Sequence, residues 1–355
     1  MKQAQNPADR EAAGMEEQGI DHREEHRVRI YDIAEELGLS TATVSNVIHG
    51  KTKKISDKTV KRVMALLEKR QYFPGVADIL LAQNDSRIIG VFVNDHEKYE
   101  GHTLEDFFIS SSINYLSTEI ENSGRFMIIK KAKQAEEIIR FASMWNMEGI
   151  VIMGFCEQDY LYLRNHMRIP FVVYDGICGK TERIFNITLD NYGGGLQMGR
   201  YFKEAGHRKA LCISDNSIGI DQDRMEGFRE GFAGDVEFLL VPMKKEERRQ
   251  FYIQHLEKIK SVTAIFAVSD YYAIDLMCFL NGQGISVPKD ISVAGFDDIP
   301  LCHMINPPLT TIKQDNHLRA KLAVEKLKEL KENKETGTEI VLPVSLVVRK
   351  STAPL

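Results

Sequence analysis

Two short motifs in this 355-residue chain carry residue types that could do chemistry. His22, Glu25 and His26 spell H-x-x-E-H, a spacing that lets two imidazoles one helical turn apart share a zinc ion. Asp297 and Asp298 could act as a carboxylate pair in acid–base catalysis. The first motif lies in a polar tail without an evident third ligand, and the second has no nucleophile or base partner. The sequence therefore predicts no metal site, no catalytic residues and no cofactor.

A polar stretch near the N-terminus indicates a different chemistry, the reading of a DNA groove. Val44, Val47 and Ile48 share one face of a short predicted helix. The rest of its surface is left to solvent or a ligand, and its residues are Thr41, Ala42, Thr43, Ser45, Asn46 and His49. A short helix with such a surface fits the major groove of DNA.

Two further helices are predicted to position this surface. The first has apolar residues at i, i+3, i+4 and i+7, which are Ile30, Ile33, Ala34 and Leu37. Gly38 can end it, and Ser40 can cap the helix that follows. A third helix opens at Ser56 and repeats the apolar spacing with Val60, Val63, Met64 and Leu67, all expected to be buried. The segment 28–73 is therefore predicted to be a small all-α helix-turn-helix head.

The charge distribution supports binding to DNA. Between Val28 and Phe73 there are nine Lys and Arg against five Asp and Glu, whereas the whole chain has a formal net charge of -5. A phosphate backbone would attract this local excess of positive charge. The alternative is that these lysines only solvate a helical surface.

The remainder of the chain has the pattern of an α/β protein. Short apolar runs alternate with helical stretches after Arg87, at 88–93, 126–129, 149–153, 171–174, 210–213, 264–267 and 291–294. Buried strands between helices predict one or two doubly wound parallel sheets. At 43% hydrophobic content the chain is long enough for a small head and a large two-lobed body.

Motifs in a fixed order over about Val28 to Leu355 carry a family resemblance. In chain order they include IYDIAEELGLSTATVSNVIHG, YFPG, IIGVFV, EGIVIMG, IPFVVYD, GRYFKEAGHRKALCIS, DRMEGFREGF, TAIFAVSD, VPKDISVAGFDDIP, NPPLTTI and LVVRKSTAPL. Together they resemble the LacI/GalR family of bacterial transcriptional regulators. The resemblance implies a helix-turn-helix head, a hinge and a body like the periplasmic sugar-binding proteins, and it implies no enzymatic activity.

The resemblance also implies a division of the chain. The leader would be residues 1–27, which the composition predicts to be disordered. The head would be 28–73, the hinge helix and linker 74–87, and the effector-binding and dimerisation body 88–355. In the body, lobe 1 would take about 88–189 and 314–331, and lobe 2 about 190–309 and 339–355. The GFDD motif with Asp297 and Asp298 would lie in a loop at the lobe interface.

Residue-wise resemblance implies two sets of DNA contacts. Thr41, Ala42 and Asn46 would face base edges, with Thr41 and Ala42 as methyl contacts or permissive positions. The phosphate contacts would be Tyr31, Ser40, Thr43, Ser45 and His49. Asn46 stands where many family members have Arg. Since Arg suits guanine and Asn suits adenine, the operator preference is expected to differ at that base pair.

The hinge carries a candidate minor-groove residue. Pro74 ends the third helix, and 76–83 can form a short helix. By resemblance, Leu81 would wedge between base steps and bend the operator. Asp78 and Ile79 depart from the family pattern, adding a negative charge near phosphates. The alternative is that Leu81 helps to pack two hinge helices together.

The resemblance places a small effector between the lobes. Arg224 and Asp270 match family effector contacts, with Asp175 a third candidate and Phe108 an apolar wall. Arg224 and Asp270 could instead form a lobe–lobe salt bridge. The effector would be a sugar or sugar phosphate, with a nucleobase also open, because Ser269 and the long HEKYEGHTLED loop depart from the family pattern.

Localisation and assembly complete the prediction. The sequence has no membrane-length apolar stretch and no signal peptide, so a cytoplasmic protein without a membrane partner is expected. A homodimer on palindromic double-stranded operator DNA is expected, since one head supplies one recognition helix. The function would be transcription regulation, more simply by repression, under allosteric control. The alternatives are a cytoplasmic small-molecule binding protein and a regulator whose main effector is a protein.

Overall fold

The computed structural model describes residues 28–70, 72, 86–176, 178, 184–332 and 339–355. The chain divides into two compact units, one before residue 85 and one from residue 85 onward. The predicted leader with His22, Glu25 and His26, and the predicted hinge helix with Leu81, lie outside the described residues. These expectations stay predictions.

The described residues of the first unit, the head, form three helices. They are α1 (Ile30–Leu37), α2 (Thr41–Ile48) and α3 (Asp57–Lys69). Gly38 ends α1 in the left-handed conformation with a φ of 65°, which glycine adopts without a Cβ clash. The side chains of Ser40 and Ser56 accept hydrogen bonds from the Thr43 and Thr59 amides and so cap α2 and α3.

The head has its own hydrophobic core, and one predicted member is outside it. The buried residues are Ile33, Ala34, Val44, Val47, Val63, Leu66 and Leu67. Met64, which the apolar spacing predicts to be buried, is 53% exposed. The reason is the orientation of α3: its buried side is centred on Val63, Leu66 and Leu67, and Met64 lies beyond the edge of that side.

The second unit, the body, is an alternation of strands and helices. Its strands are β1 (Ile88–Asn94), β2 (Phe126–Ala132), β3 (Gly149–Met153), β4 (Phe171–Tyr174), β5 (Ile184–Leu189), β6 (Lys209–Ser214), β7 (Asp235–Leu240), β8 (Ala264–Ala267), β9 (Ser292–Asp297), β10 (Thr310–Lys313), β11 (Glu339–Leu342) and β12 (Ser345–Val347). Its α-helices are α4 (Phe107–Asn122), α5 (Ala135–Met144), α6 (Glu157–His166), α7 (Asn191–Glu204), α8 (Gly219–Phe232), α9 (Lys245–Gln254), α10 (Leu256–Lys260), α11 (Asp270–Gly282) and α12 (Asn316–Lys331).

Two six-stranded sheets define two lobes. Lobe 1 has the strand order β11-β5-β4-β3-β1-β2, and lobe 2 has the order β12-β10-β9-β8-β6-β7. All pairings are parallel except that of β10 with β12. Every residue of β3, β4 and β8 is buried, as expected for strands covered by helices on both faces. None of the helices in the described ranges is long and apolar enough to cross a membrane.

The lobe boundaries differ from the predicted ones in two places. Strand β10 pairs with β9, so lobe 2 continues to Lys313 rather than ending at 309. Strand β11 pairs with β5 in lobe 1, although 339–355 was predicted to belong to lobe 2. Pro343, which has no N–H for a strand ladder, separates β11 from β12, and the chain changes sheets there. The sequence pattern alone read this stretch as one final strand.

Candidate DNA-binding surface and interlobe cleft

The outward surface of α2 presents the residues predicted to reach base edges. Thr41, Ala42 and Asn46 are all exposed, and Val44 and Val47 on the opposite side are buried in the head core. The pattern arises because the apolar residues recur at helical spacing and leave one surface free. The exposed side chains are therefore available to a groove.

The predicted phosphate contacts surround this surface. Tyr31 is 62% exposed, Ser40 is exposed, and Thr43, Ser45 and His49 are half-buried. The Ser40 and Thr43 hydroxyls are 2.8 Å apart, and His49 Nδ1 lies 2.7 Å from the Ser45 carbonyl oxygen. These contacts orient the polar groups around both ends of α2.

Positive charge lies on the same unit and faces solvent. The exposed basic residues following α2 and on α3 are Lys51, Lys53, Lys54, Lys58, Lys61 and Arg62. Arg62 also donates to the Leu37 carbonyl oxygen at 3.2 Å, which ties α3 to the end of α1. An exposed cationic surface on a unit of this size can neutralise phosphates on either side of a groove.

Arg224 is the centre of a buried polar cluster in lobe 2. It lies on α8, is 3% exposed, and donates through Nε to Asn191 Oδ1 and through Nη1 to the Val268 carbonyl oxygen, both at 2.8 Å. Its guanidinium stacks 3.7 Å from the centroid of the Phe296 ring, and Nη1 lies 3.7 Å from Asp297 Oδ1. The side chain is therefore held in one orientation by helix, strand and ring contacts.

Close packing of α7 against α8 brings Asn191 and Arg224 together. A Cβ on Gly195 would lie 2.1 Å from the Arg224 carbonyl oxygen, and one on Gly227 would lie 2.1 Å from the Tyr192 carbonyl oxygen. Only glycine allows such backbone contact. Gly193 to Gly195 lack the spacing of a dinucleotide-binding loop, and of the three it is Gly195 that allows α7 to approach Arg224.

Asp270 does not occupy the predicted position. It is fully buried at the start of α11, where Oδ1 accepts from the Thr311 hydroxyl at 2.6 Å and Oδ2 accepts from the Ile299 amide at 3.0 Å and the Cys302 thiol at 3.1 Å. Burial raises the pKa of this carboxyl. Both of its oxygens are committed within lobe 2, so the structure assigns Asp270 to internal packing rather than to the effector.

Asp297 is a lobe 2 carboxylate that is linked to lobe 1 through Gln314. It ends β9 with a φ of 124°, a backbone conformation that is costly for any residue but glycine. Its Oδ1 accepts from Gln314 Nε2 at 3.0 Å and lies beside Arg224. Burial raises the pKa of Asp297 well above its usual value, and the Arg224 charge opposes that rise. The sequence motif predicted Asp297 to lie in a loop at the lobe interface but did not single it out as an effector contact.

Lobe 1 contributes Asp175, Phe108 and an arginine that sequence reasoning did not single out. Asp175 follows β4 with a φ of 61°, and its Oδ2 lies 3.5 Å from Arg319 Nη1. Arg319 is fully buried in the first turn of α12, with its guanidinium 5.8 Å from the Phe108 ring centroid and 5.1 Å from that of Tyr174. The predicted pair Asp175 and Phe108 is thus brought together around Arg319.

Among the described residues, two side-chain bridges join the lobes. Gln314 accepts from Arg319 of lobe 1 at 2.5 Å and donates to Asp297 of lobe 2. Lys98, in the long loop after β1, lies 3.7 Å from Asp215 of lobe 2, which also accepts 2.7 Å hydrogen bonds from the Tyr272 hydroxyl and the Asn216 side-chain amide. Despite partial burial, the carboxylate of Asp215 keeps a lowered pKa, with the Lys98 charge as the leading favourable cause. The lobes are held close by side chains.

Within the described residues, no group of three or more His, Cys, Asp or Glu could hold a metal ion. Cys156, Cys212, Cys278 and Cys302 are free cysteines. The His22, Glu25 and His26 motif lies outside these residues.

Comparisons with known proteins match both units. A family model described as bacterial regulatory proteins, lacI family, matches residues 29–75, and one described as periplasmic binding protein-like domain matches residues 200–352. Residues 29–75 are thus similar to the heads of the lacI family, and residues 200–352 are similar to periplasmic binding protein-like domains. Members are DNA-binding transcription regulators and not enzymes, as predicted.

Relatives and solved structures span nearly all of the chain. The HTH-type transcriptional repressor PurR of Vibrio parahaemolyticus is 28% identical over 340 residues, covering 92% of this chain and 99% of that protein. The HTH-type transcriptional regulator MalR of Clostridium butyricum is 26% identical over 342 residues, covering 91% and 99%. A Lac repressor dimer bound to operator and the anti-inducer ONPF matches with a TM-score of 0.78 at 24% identity, covering 92% and 99%. These matches confirm the predicted fold class.

A further solved structure contains a sugar. It is a LacI family transcriptional regulator from Enterococcus faecium with bound ribose, which matches with a TM-score of 0.65 at 24% identity and covers 76% of this chain and 99% of that one. At this identity the match shows the shared fold of the body.

Proposed function

We propose that this protein is a repressor that binds a palindromic operator as a homodimer and changes its DNA affinity when a sugar or sugar phosphate binds between its lobes. The observation that carries the proposal is the pairing of an exposed polar α2 surface on a basic head with a cleft whose strained carboxylates, Asp175 and Asp297, face arginines. A protein that occupies a promoter can thereby repress transcription. An effector can change the DNA affinity of that protein if it binds two arrangements of the lobes with different affinities.

Two features support a dimer, the single recognition helix of each head and the exposed apolar residues of strand β2. One head offers a single recognition helix, so two heads on a palindrome double the contacts. Phe126 and Ile129 on the edge strand β2 are 64% and 37% exposed, which is costly unless a partner covers them. The structurally similar Lac repressor is a dimer on its operator.

The effector class is supported by the polar groups of the cleft. Arg224, Asp297 and Asp175 offer fixed donors and acceptors of the kind that orient hydroxyl groups. Because the Gln314 and Lys98 bridges already span the lobes, a ligand has to replace or reinforce them. Either effect changes the equilibrium between open and closed lobes.

The operator preference tests the role of α2. Asn46→Arg is expected to move the preferred base at one position of each half-site from adenine toward guanine, because Arg pairs with the two acceptors of guanine. The discrimination should change by roughly 1–3 kcal/mol per half-site. Selection of bound sites from a randomised DNA pool, performed side by side with the wild-type protein, measures it.

The matched control is Lys58→Arg, which leaves the charge on α3 in place and lies away from the α2 surface. It should select the wild-type site. An Asn46→Arg protein that also selects the wild-type site would show that α2 does not read bases at Asn46. Failure of the wild-type protein to enrich any palindrome would remove the operator proposal.

The Lys98 bridge gives a prediction about lobe closure. Lys98→Met should shift the lobes toward the open arrangement by up to about fivefold, since a partly exposed ion pair contributes up to about 1 kcal/mol. Lys131→Met is the control because the Lys131–Asp95 pair at 3.1 Å lies wholly in lobe 1. Energy transfer between dyes on the two lobes reports the distance. Equal behaviour of the two variants would mean that Lys98 does not hold the lobes.

A further inference from the structure

Arg319 has unsatisfied hydrogen-bonding groups in a buried place. Its side chain is fully buried, and Nη2 donates to Gln314 Oε1 at 2.5 Å. Within the described residues Nε and Nη1 make no hydrogen bond. Burying charged N–H groups without acceptors is costly, so a fold retains them where a ligand supplies the acceptors.

Asp175 does not supply the hydrogen-bond acceptors that Arg319 Nε and Nη1 lack. Its Oδ2 lies 3.5 Å from Arg319 Nη1 but accepts no hydrogen bond from it, and its own Oδ1 is buried without a partner in the described part of the chain. The side chains are held in this arrangement by the strained Asp175 backbone and by the stacking of Arg319 near Tyr174 and Phe108. An unpaired donor group and an unpaired acceptor therefore lie side by side on the lobe 1 wall.

The neighbouring hydroxyls extend this unpaired set. Tyr174 Oη and Ser112 Oγ are also buried; they lie near each other, and neither makes a hydrogen bond of normal geometry among the described residues. Both can donate or accept, whereas Nε and the two protons of Nη1 can only donate. Arg319 Nε and Nη1 carry three protons that only an acceptor can satisfy, so the missing partner has to bring acceptors to Arg319.

A sugar hydroxyl brings a donor with every acceptor, but a carboxylate or phosphate brings acceptors alone. An oxyanion at Arg319 with a hydroxyl on the neighbouring carbon would satisfy Nε, Nη1 and Asp175 Oδ1 together.

We propose that Arg319 selects an effector that carries an oxyanion, a carboxylate or a phosphate, on a polyhydroxylated carbon skeleton. This inference rests on the proposed function and narrows its effector class. Asp175 would accept from a hydroxyl of the same ligand, and Arg224 and Asp297 of lobe 2 would bind its other end.

Titration calorimetry of the full-length protein with matched ligands tests the proposal. The probes are glucose, glucuronate and glucose 6-phosphate, and galactose, galacturonate and galactose 6-phosphate. We expect at least one acidic member to bind at least tenfold more tightly than its neutral counterpart. Whether the carboxylate or the phosphate series binds better identifies the oxyanion.

Three variants separate selection from folding. Arg319→Gln should reduce the preference for the acidic ligand at least tenfold, while Arg319→Lys, which keeps the charge, should retain part of it. Lys131→Gln, which removes a charge elsewhere on lobe 1, should leave the preference unchanged. Thermal melting of each variant verifies that it folds. If Arg319→Gln does not fold, the proposal is tested by the ligand preference of Arg319→Lys and by the salt dependence of ligand binding to the wild-type protein.

The outcomes distinguish the inference from the proposed function. If neutral sugars bind as tightly as their acidic counterparts and change DNA binding, Arg319 does not select an oxyanion. The proposed regulatory function would stand in that case. An unchanged acid preference in Arg319→Gln would also overturn it. If no member of either series binds or changes operator affinity, the sugar-effector proposal itself fails.

Discussion

Replacing Val63 by Asn is expected to reduce the operator affinity of the dimer about a hundredfold, whereas the same replacement at the neighbouring Met64 should leave it unchanged. Val63 is fully buried in the head core, and Met64 is 53% exposed on the same helix. Neither residue lies on α2, so the comparison tests folding of the head and not base contact.

The size of the effect follows from the small core of the head. Losing the burial of Val63 costs about 1.5–3 kcal/mol, and burying an unpaired amide costs about 1–3 kcal/mol more. A core this small supplies only about 3–5 kcal/mol of stability. Each head would then be mostly unfolded, which reduces its affinity about tenfold, and the two heads of a dimer multiply the loss.

Fluorescence anisotropy with the selected operator measures the affinities of both variants. Thermal melting of the body should be the same in the two proteins. Retained operator binding by Val63→Asn, or equal loss in Met64→Asn, would contradict the described core of the head.

Replacing Gly227 by Ala is expected to destabilise the body by about 3 kcal/mol or more, the upper part of the usual cost of overpacking. The new Cβ would lie 2.1 Å from the Tyr192 carbonyl oxygen and 3.0 Å from the Leu196 amide nitrogen, and these backbone atoms cannot move unless α7 and α8 separate. Their separation would also pull Asn191 from Arg224 Nε, so effector binding should weaken with stability.

Gly282→Ala is the matched control. A Cβ there meets nothing within 4 Å, and Gly282 is exposed at the end of α11. It should be neutral or stabilise by about 0.4–1 kcal/mol, because Ala loses less chain entropy on folding. The melting temperature of Gly227→Ala should fall by about 5 to 10 °C. Similar melting of the two variants would contradict the close approach of α7 and α8.

The local residue pattern was sufficient to predict the helices of the head and the order of helices and strands in the body. The helical spacing of Ile33, Ala34, Val44 and Val47 matches the observed core, since periodicity reports which side of a helix is buried. Met64 was wrongly predicted to be buried because both Met64 and Leu66 could continue the apolar stripe of α3. Only the docking of α3 on α1 and α2 decides between Met64 and Leu66.

The contacts of the residues between the lobes could not be predicted from the sequence, because they depend on tertiary packing. Asp270 and Asp297 each lie close to the end of a buried lobe 2 strand, and their sequence contexts are equally suggestive. The hydrogen bonds from Thr311, Ile299 and Cys302 that commit Asp270 come from distant segments. Arg319 likewise reaches Asp175 only because α12 packs on the lobe 1 sheet after the chain has crossed between lobes. Neither arrangement has a signal in residue spacing.

The central claim is that ligand in the cleft and operator on the head are coupled. The direct test measures the affinity of the full-length protein for its selected palindrome with and without a saturating ligand identified by calorimetry. We predict at least a tenfold change in DNA affinity, and by thermodynamic linkage an equal change in ligand affinity when operator is bound. The Val63→Asn protein should bind the ligand but show no operator-dependent change. Equal DNA affinity with and without bound ligand would contradict the account.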